Sequence, residues 1–228
     1  MADIRCGKAV QAGIAGAAAL AAGSGAYAGI VVVAPPANLP AAPAPNTSNL
    51  AWDVNGDAVV DFNFAFRNPQ SATQVYWQAN MNPVTGNGVV GYTGPFIDYG
   101  TNLSAGQTIG GASVFKTGAQ VTLGSIYGGA GGLFYGGFGV GTANPGGAGA
   151  GAARGFAGFK FLIGGQTRYG WVDVRVTGGG FEFFGAAYED SGASIAAGAV
   201  PAPGSLGALA LGAAALLRRG KRKDEAAA

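Results

Sequence analysis

In the middle of the chain, apolar and polar side chains alternate with period two. Val60, Phe62, Phe64 and Phe66 fall on one face, and Asp61, Asn63 and Ala65 on the other. Phe159, Phe161 and Ile163 repeat the pattern. Val172, Val174 and Val176 then oppose Trp171, Asp173 and Arg175, and Phe181 and Phe183 open a run that continues to about Tyr188. Such alternation marks strands with one buried face. Gln74 to Ala79, Gly88 to Tyr92, Ser113 to Lys116 and Leu133 to Val140 are further candidates. Gly164-Gly165 and Gly178-Gly179-Gly180 supply turns, and no run between residues 50 and 195 keeps a helical period. The pattern predicts an all-β domain, an antiparallel two-sheet sandwich of jelly-roll-like type, with a barrel as the alternative. The stretch 128–158 carries long Gly/Ala runs, and glycine there serves either tight strand packing or a loop.

Composition sharpens the boundaries. The chain has 228 residues, with 44 Gly, no His and one Cys. Residues 1–45 and 196–228 hold 28 of the 46 Ala but only one of the 24 aromatics, Tyr27. The central 150 residues hold the rest, enough for one domain with a real core. They carry six Lys/Arg against eight Asp/Glu, a net charge of −2, so the overall +2 belongs to the ends. A basic surface for nucleic acid is excluded. The lack of His removes most acid–base, triad and zinc chemistry, and a non-enzymatic protein is expected.

The start of the chain has the order of an export signal. Arg5 and Lys8 precede an uncharged, mostly small-apolar stretch, Ala9 to Ala22, and Ala26-Tyr27-Ala28 fits an A-x-A cleavage site. Residues 1–28 are therefore expected to be a signal peptide, a helix too short to remain as a membrane span. Cys6 lies within it. Residues 29–49 read as a Pro/Ala-rich linker, in which Val31-Val32-Val33 either begins a strand or trails the signal. The β domain is expected over 50–198.

The end of the chain, residues 199–228, has three parts. Val200-Pro201-Ala202-Pro203-Gly204 is a turn, Leu206 to Leu217 is a short apolar segment, and Arg218 to Lys223 is a basic cluster. Twelve helical residues span roughly 18 Å, short of a hydrocarbon core of about 30 Å. That length suits a transient stop in the membrane, with the cations held on the cytoplasmic side. This tail resembles the PEP-CTERM sorting signal of exported bacterial proteins processed by exosortase. Val200, Pro201, Ala202, Pro203, Gly204, Arg218 and Arg219 carry the resemblance, with Ala202 standing where the family usually has Glu. Gly165 to Val176, and Ala187-Tyr188-Glu189 followed by Ser191 to Gly198, are also similar to segments common in these proteins. The resemblance implies a Gram-negative-type envelope, passage through the export translocon, and removal of the tail by an exosortase-like enzyme. It also implies delivery to the cell surface or extracellular matrix, and no activity for the domain.

Three sets of residues are candidates for chemistry. Asp53, Asn55, Asp57 and Asp61 place oxygens at positions 1, 3, 5 and 9 of a loop, which resembles the first part of a calcium loop. Position 6 is Ala58 and position 12 is Phe64, where Gly and an acid are usual. The competing reading is an Asx-rich turn leading into a strand. Trp52, Trp77 and Trp171, with Tyr92, Tyr99 and Tyr169, offer rings for stacking on sugars or, alternatively, for core packing. Asp173 and Glu182 flank a turn, either as a carboxylate pair or as solvated charges with Arg175 as counter-charge. The expected function is that of an exported structural or adhesive protein. The alternative is a lectin-like module acting on exopolysaccharide.

Overall fold

The computed structural model describes residues 29–68, 75–94, 97–128, 133–135, 137–138 and 154–201. Among them the chain forms strands and no helix. The strands are β1 (Ile30–Val33), β2 (Leu39–Pro40), β3 (Thr47–Trp52), β4 (Phe62–Arg67), β5 (Val75–Pro83), β6 (Gly88–Thr93), β7 (Asp98–Gly100) and β8 (Asn102–Leu103). They continue with β9 (Thr108–Ile109), β10 (Phe115–Lys116), β11 (Val121–Gly128), β12 (Leu133–Tyr135), β13 (Arg154–Ile163), β14 (Gln166–Thr177), β15 (Gly180–Glu189) and β16 (Ile195–Ala196). The signal segment 1–28 with Ala26 and Ala28, the tail from Ala202 onward with Pro203, Gly204, Arg218 and Arg219, and most of 128–158 lie outside the described residues.

One sheet runs β1–β15–β14–β13 and the other β3–β4–β5–β11–β7. β6 belongs to both. Its Gly88 and Val89 pair with Lys160 and Phe159 of β13, and its Gly91 to Thr93 pair with Gly100 to Asp98 of β7. The sandwich is therefore one continuous sheet folded over at β6, and the meanders β3–β4–β5 and β13–β14–β15 form its two walls. The sheet is mixed and not purely antiparallel, because β7 and β11 run parallel. Between them the chain runs through β8, which pairs with β13, β9, which pairs with β16, and β10, which pairs with β6, a crossover long enough to bring it back in the same direction.

The period-two pattern selects the core. Phe62, Phe64 and Phe66 on β4 face Phe159, Phe161, Val172, Val174, Val176, Phe181 and Phe183 of the other wall, all buried. Phe159 meets the ring of Trp52 edge-on at 5.4 Å and lies 5.2 Å from Phe62. Phe64 meets Phe183 at 4.7 Å and Phe181 at 5.4 Å. Aromatic pairs in these geometries add to the area they bury. Val60 is corrected: it precedes β4 and stands exposed, because the chain is still completing the acidic turn. On β15 the alternation shifts by one residue. Val174 pairs with Phe183 but Asp173 pairs with Gly185, so Phe184 is the extra residue of a β-bulge and turns outward. Beyond it Ala186 and Tyr188 take over the core face.

Part of residues 29–49, expected as a linker, lies in the sheet, and of the two readings of Val31-Val32-Val33 the strand is the one found. β1 pairs with Ala186 to Glu189 of β15, and β2 pairs with its start. Val31 and Val33 pack on the main core, Leu39 is buried, and Asn38 Oδ1 accepts a bond from Phe183 N at 2.8 Å. An IVVV run has the β-branched character of a strand, and the prolines that follow carry the chain from one wall to the other.

The outer face of the β1–β15–β14–β13 wall has its own cover. Leu103, Ile109, Trp171, Ala187, Ile195 and Ala197 form a second buried cluster, with Ile30, Phe156, Tyr169 and Ala199 against it. β9 and β16 pair there as a small separate sheet.

Candidate functional site

All three indoles are core groups, so of the two readings of Trp52, Trp77 and Trp171 the structure has core packing and not rings free to stack on sugars. They are 5–6% exposed. Trp52 and Trp77 lie in the main core, Trp77 stacked on Phe66 at 5.6 Å. Trp171 lies in the cover cluster, edge-on to Phe156, and its Nε1 donates to the carbonyl of Ala199 at 3.1 Å. Of the tyrosines, Tyr99 is buried and Tyr169 stacks on Phe115, while Tyr92 is half exposed and stacks on Tyr99. Burial raises the Tyr92 hydroxyl above its ordinary value.

The acidic loop divides. Asp53 accepts backbone bonds from Gly56 and Ala58 at 2.7 Å each, and Asp57 accepts one from Val59 at 2.9 Å. Asn55 Nδ2 donates to Asp57 Oδ2 at 3.0 Å. Ala58 adopts a positive φ of 68°, the conformation for which glycine is usual. Asp61 does not join the other three. It is buried, accepting from Val54 N at 3.0 Å and from Asn87 Nδ2 at 3.1 Å. Burial pushes its carboxyl above the ordinary value; the bonds from Val54 and Asn87 act in the opposite direction. Asn55 Oδ1 is buried without a hydrogen-bond partner. Among the described residues no three His, Cys, Asp or Glu side chains converge as metal ligands. In this structure the oxygens of Asp53 and Asp57 close an Asx-type turn, and Asp61 holds the backbone and Asn87 beneath it.

Asp173 and Glu182 do not form a carboxylate pair. Arg154 grips Asp173 with two bonds, at 3.0 and 2.7 Å, and Arg175 pairs with Glu182. Arg154 also covers the ring of the bulge residue Phe184 at 3.7 Å. On the folded-over edge, Lys116 Nζ donates to Thr93 Oγ1 at 2.6 Å, and Thr93 donates to Asp98 at 2.8 Å. Of these contacts the sequence points to Arg175 as counter-charge across the turn, as found with Glu182, whereas Arg154 with Asp173 and Lys116 with Thr93 depend on cross-strand register.

The two ends of the described chain lie on the same layer. Ile30 and Ala199 both pack on the cover cluster. Trp171, which holds Ala199, is in register with Ala187 and through it with Val32 of β1, two strand spacings or roughly 10 Å away. At the first residue, Gly29 N donates to Asp190 Oδ1 at 2.8 Å, and Asp190 N donates back to Gly29 O at 3.2 Å. Glu189 is buried and engaged by Ser191, whose hydroxyl and backbone N–H both donate to it. Comparison with known proteins found no matching family model, no matching curated protein and no matching solved structure.

Proposed function

We propose that this chain is an exported structural or adhesive protein of the cell surface or extracellular matrix. It is made as a precursor and trimmed at both ends. The observation that carries the reading is the order turn, short apolar segment and basic cluster after Val200, matched by a basic, apolar and A-x-A order before Gly29. The partners this implies are the export translocon, an exosortase-like enzyme and, transiently, the membrane, with no nucleic acid. The fold supports the reading in one respect. With Ile30 and Ala199 on one layer, a precursor can hold both apolar segments in one bilayer and hang the sandwich from a single side. The burial of all three indoles favours the structural role over the lectin-like one.

Intact-mass measurement of the protein from its native host tests this. The expected product begins at Gly29 and lacks the tail. Retention of residues 204–228 would replace sorting by a permanent tail anchor.

A further inference from the structure

We infer that Asp190 is a binding site for the α-ammonium group that processing frees at Gly29, so that removal of the signal locks the first strand to the last long one. The inference rests on the cleavage after Ala28 proposed above. Three observations support it.

Gly29 N is already the donor to Asp190 Oδ1 at 2.8 Å, and the return bond from Asp190 N makes the pair reciprocal. Asp190 also lacks any other cation: among the described residues no Lys or Arg lies within ion-pair distance of it. Arg168 Nη1 is used on the carbonyl of Thr167, and the neighbouring carboxylate Glu189 is occupied by Ser191. Finally, no spacer separates cleavage from fold. Ile30 is the first residue of β1, paired with Glu189.

The chemistry follows directly. Hydrolysis adds water across the Ala28–Gly29 peptide bond, and Ala28 leaves with a new carboxylate. Gly29 N takes up protons to become an ammonium. The amide donor at Asp190 is thereby replaced by a cation in the same place, and hydrogen bonds between charged partners are the stronger kind. A hydrogen bond from an uncharged donor to the carboxylate in the precursor becomes an ion pair in the product, at the edge strand β1.

The full chain, carrying its own signal, is exported from a Gram-negative host and recovered, and its N-terminus is read by mass spectrometry. The rate of acylation of the Gly29 α-amine at neutral pH is then compared between the native protein and Asp190→Asn, which keeps a carbonyl oxygen in place but removes the charge. The native amine should react about two- to fivefold more slowly, the range expected of an exposed ion pair. That protection should fall as salt is raised to about 1 M, where screening is short-ranged. A Gly29 start with equal, salt-independent rates in the two proteins would overturn the clamp and leave the export reading intact. A start at any other residue would overturn the clamp together with the proposed cleavage site.

Discussion

Asp61 shows how one side chain can fit a ligand spacing in sequence and carry a different set of bonds in the fold. Its spacing from Asp53 suits a calcium loop, yet its carboxylate points under the turn to Val54 N and Asn87. The consequence is a pH dependence. Burial raises the carboxyl from the ordinary 3.8, with Asp57 and Asp53 adding to the rise. Between the unfolded and folded values, the native state holds a proton that the unfolded state has lost. The stability this group contributes is thus fully present below the unfolded value and lost as pH rises through the folded one. In Asp61→Asn that dependence disappears. Urea midpoints taken across the acid range should show the variant gaining on the native protein as pH rises. A difference independent of pH would contradict this account.

Among the elements, β6 bears a tight constraint. It joins the two walls, and its Gly91 lies against β7 so closely that an added Cβ would overlap the carbonyl oxygen of Tyr99. The backbone of Tyr99 cannot yield as a flexible side chain can. Gly91→Ala should therefore cost about 1–3 kcal/mol, as overpacking does. Chemical denaturation would read this as a lower midpoint at unchanged slope, and a negligible shift would show that the seam is loose. The β15 bulge is a second constraint of this kind. It moves the core face from Phe181 and Phe183 to Ala186 and Tyr188, and it turns Phe184 out under Arg154.

For the whole molecule, the interlock of the walls decides stability. Phe159 is fully buried and touches Trp52 and Phe62 across the sandwich and Phe161 along its own strand. Phe159→Ala should cost about 3–5 kcal/mol, the range for a deleted core aromatic. Against a typical total of about 5–15 kcal/mol that loss is large. Equilibrium unfolding in urea measures it, and a loss under about 1 kcal/mol would mean that the core collapses around the gap. The cover layer adds a third stratum. It buries Trp171 on the face of β14 that its sequence marks as polar, where Asp173 and Arg175 stand beside it.

Period two along β4, β13 and β14 was enough to identify an all-β sandwich and most of its aromatic core, because alternation is a local property of a half-buried strand. The basic, apolar and turn segments at the two ends are also legible locally, since their chemistry depends on order and length alone. The valines of β1 were legible as a candidate strand, but its partner was not, and the Pro/Ala-rich stretch around β2 reads as a linker until β15 presents an edge for it. The fate of Trp171, the parallel pairing of β7 with β11, and the meeting of Gly29 with Asp190 also depend on which distant strands become neighbours. Sequence determined which residues seek burial. Tertiary structure decided where burial was available, and which carboxylates faced a cation, a backbone N–H or the core.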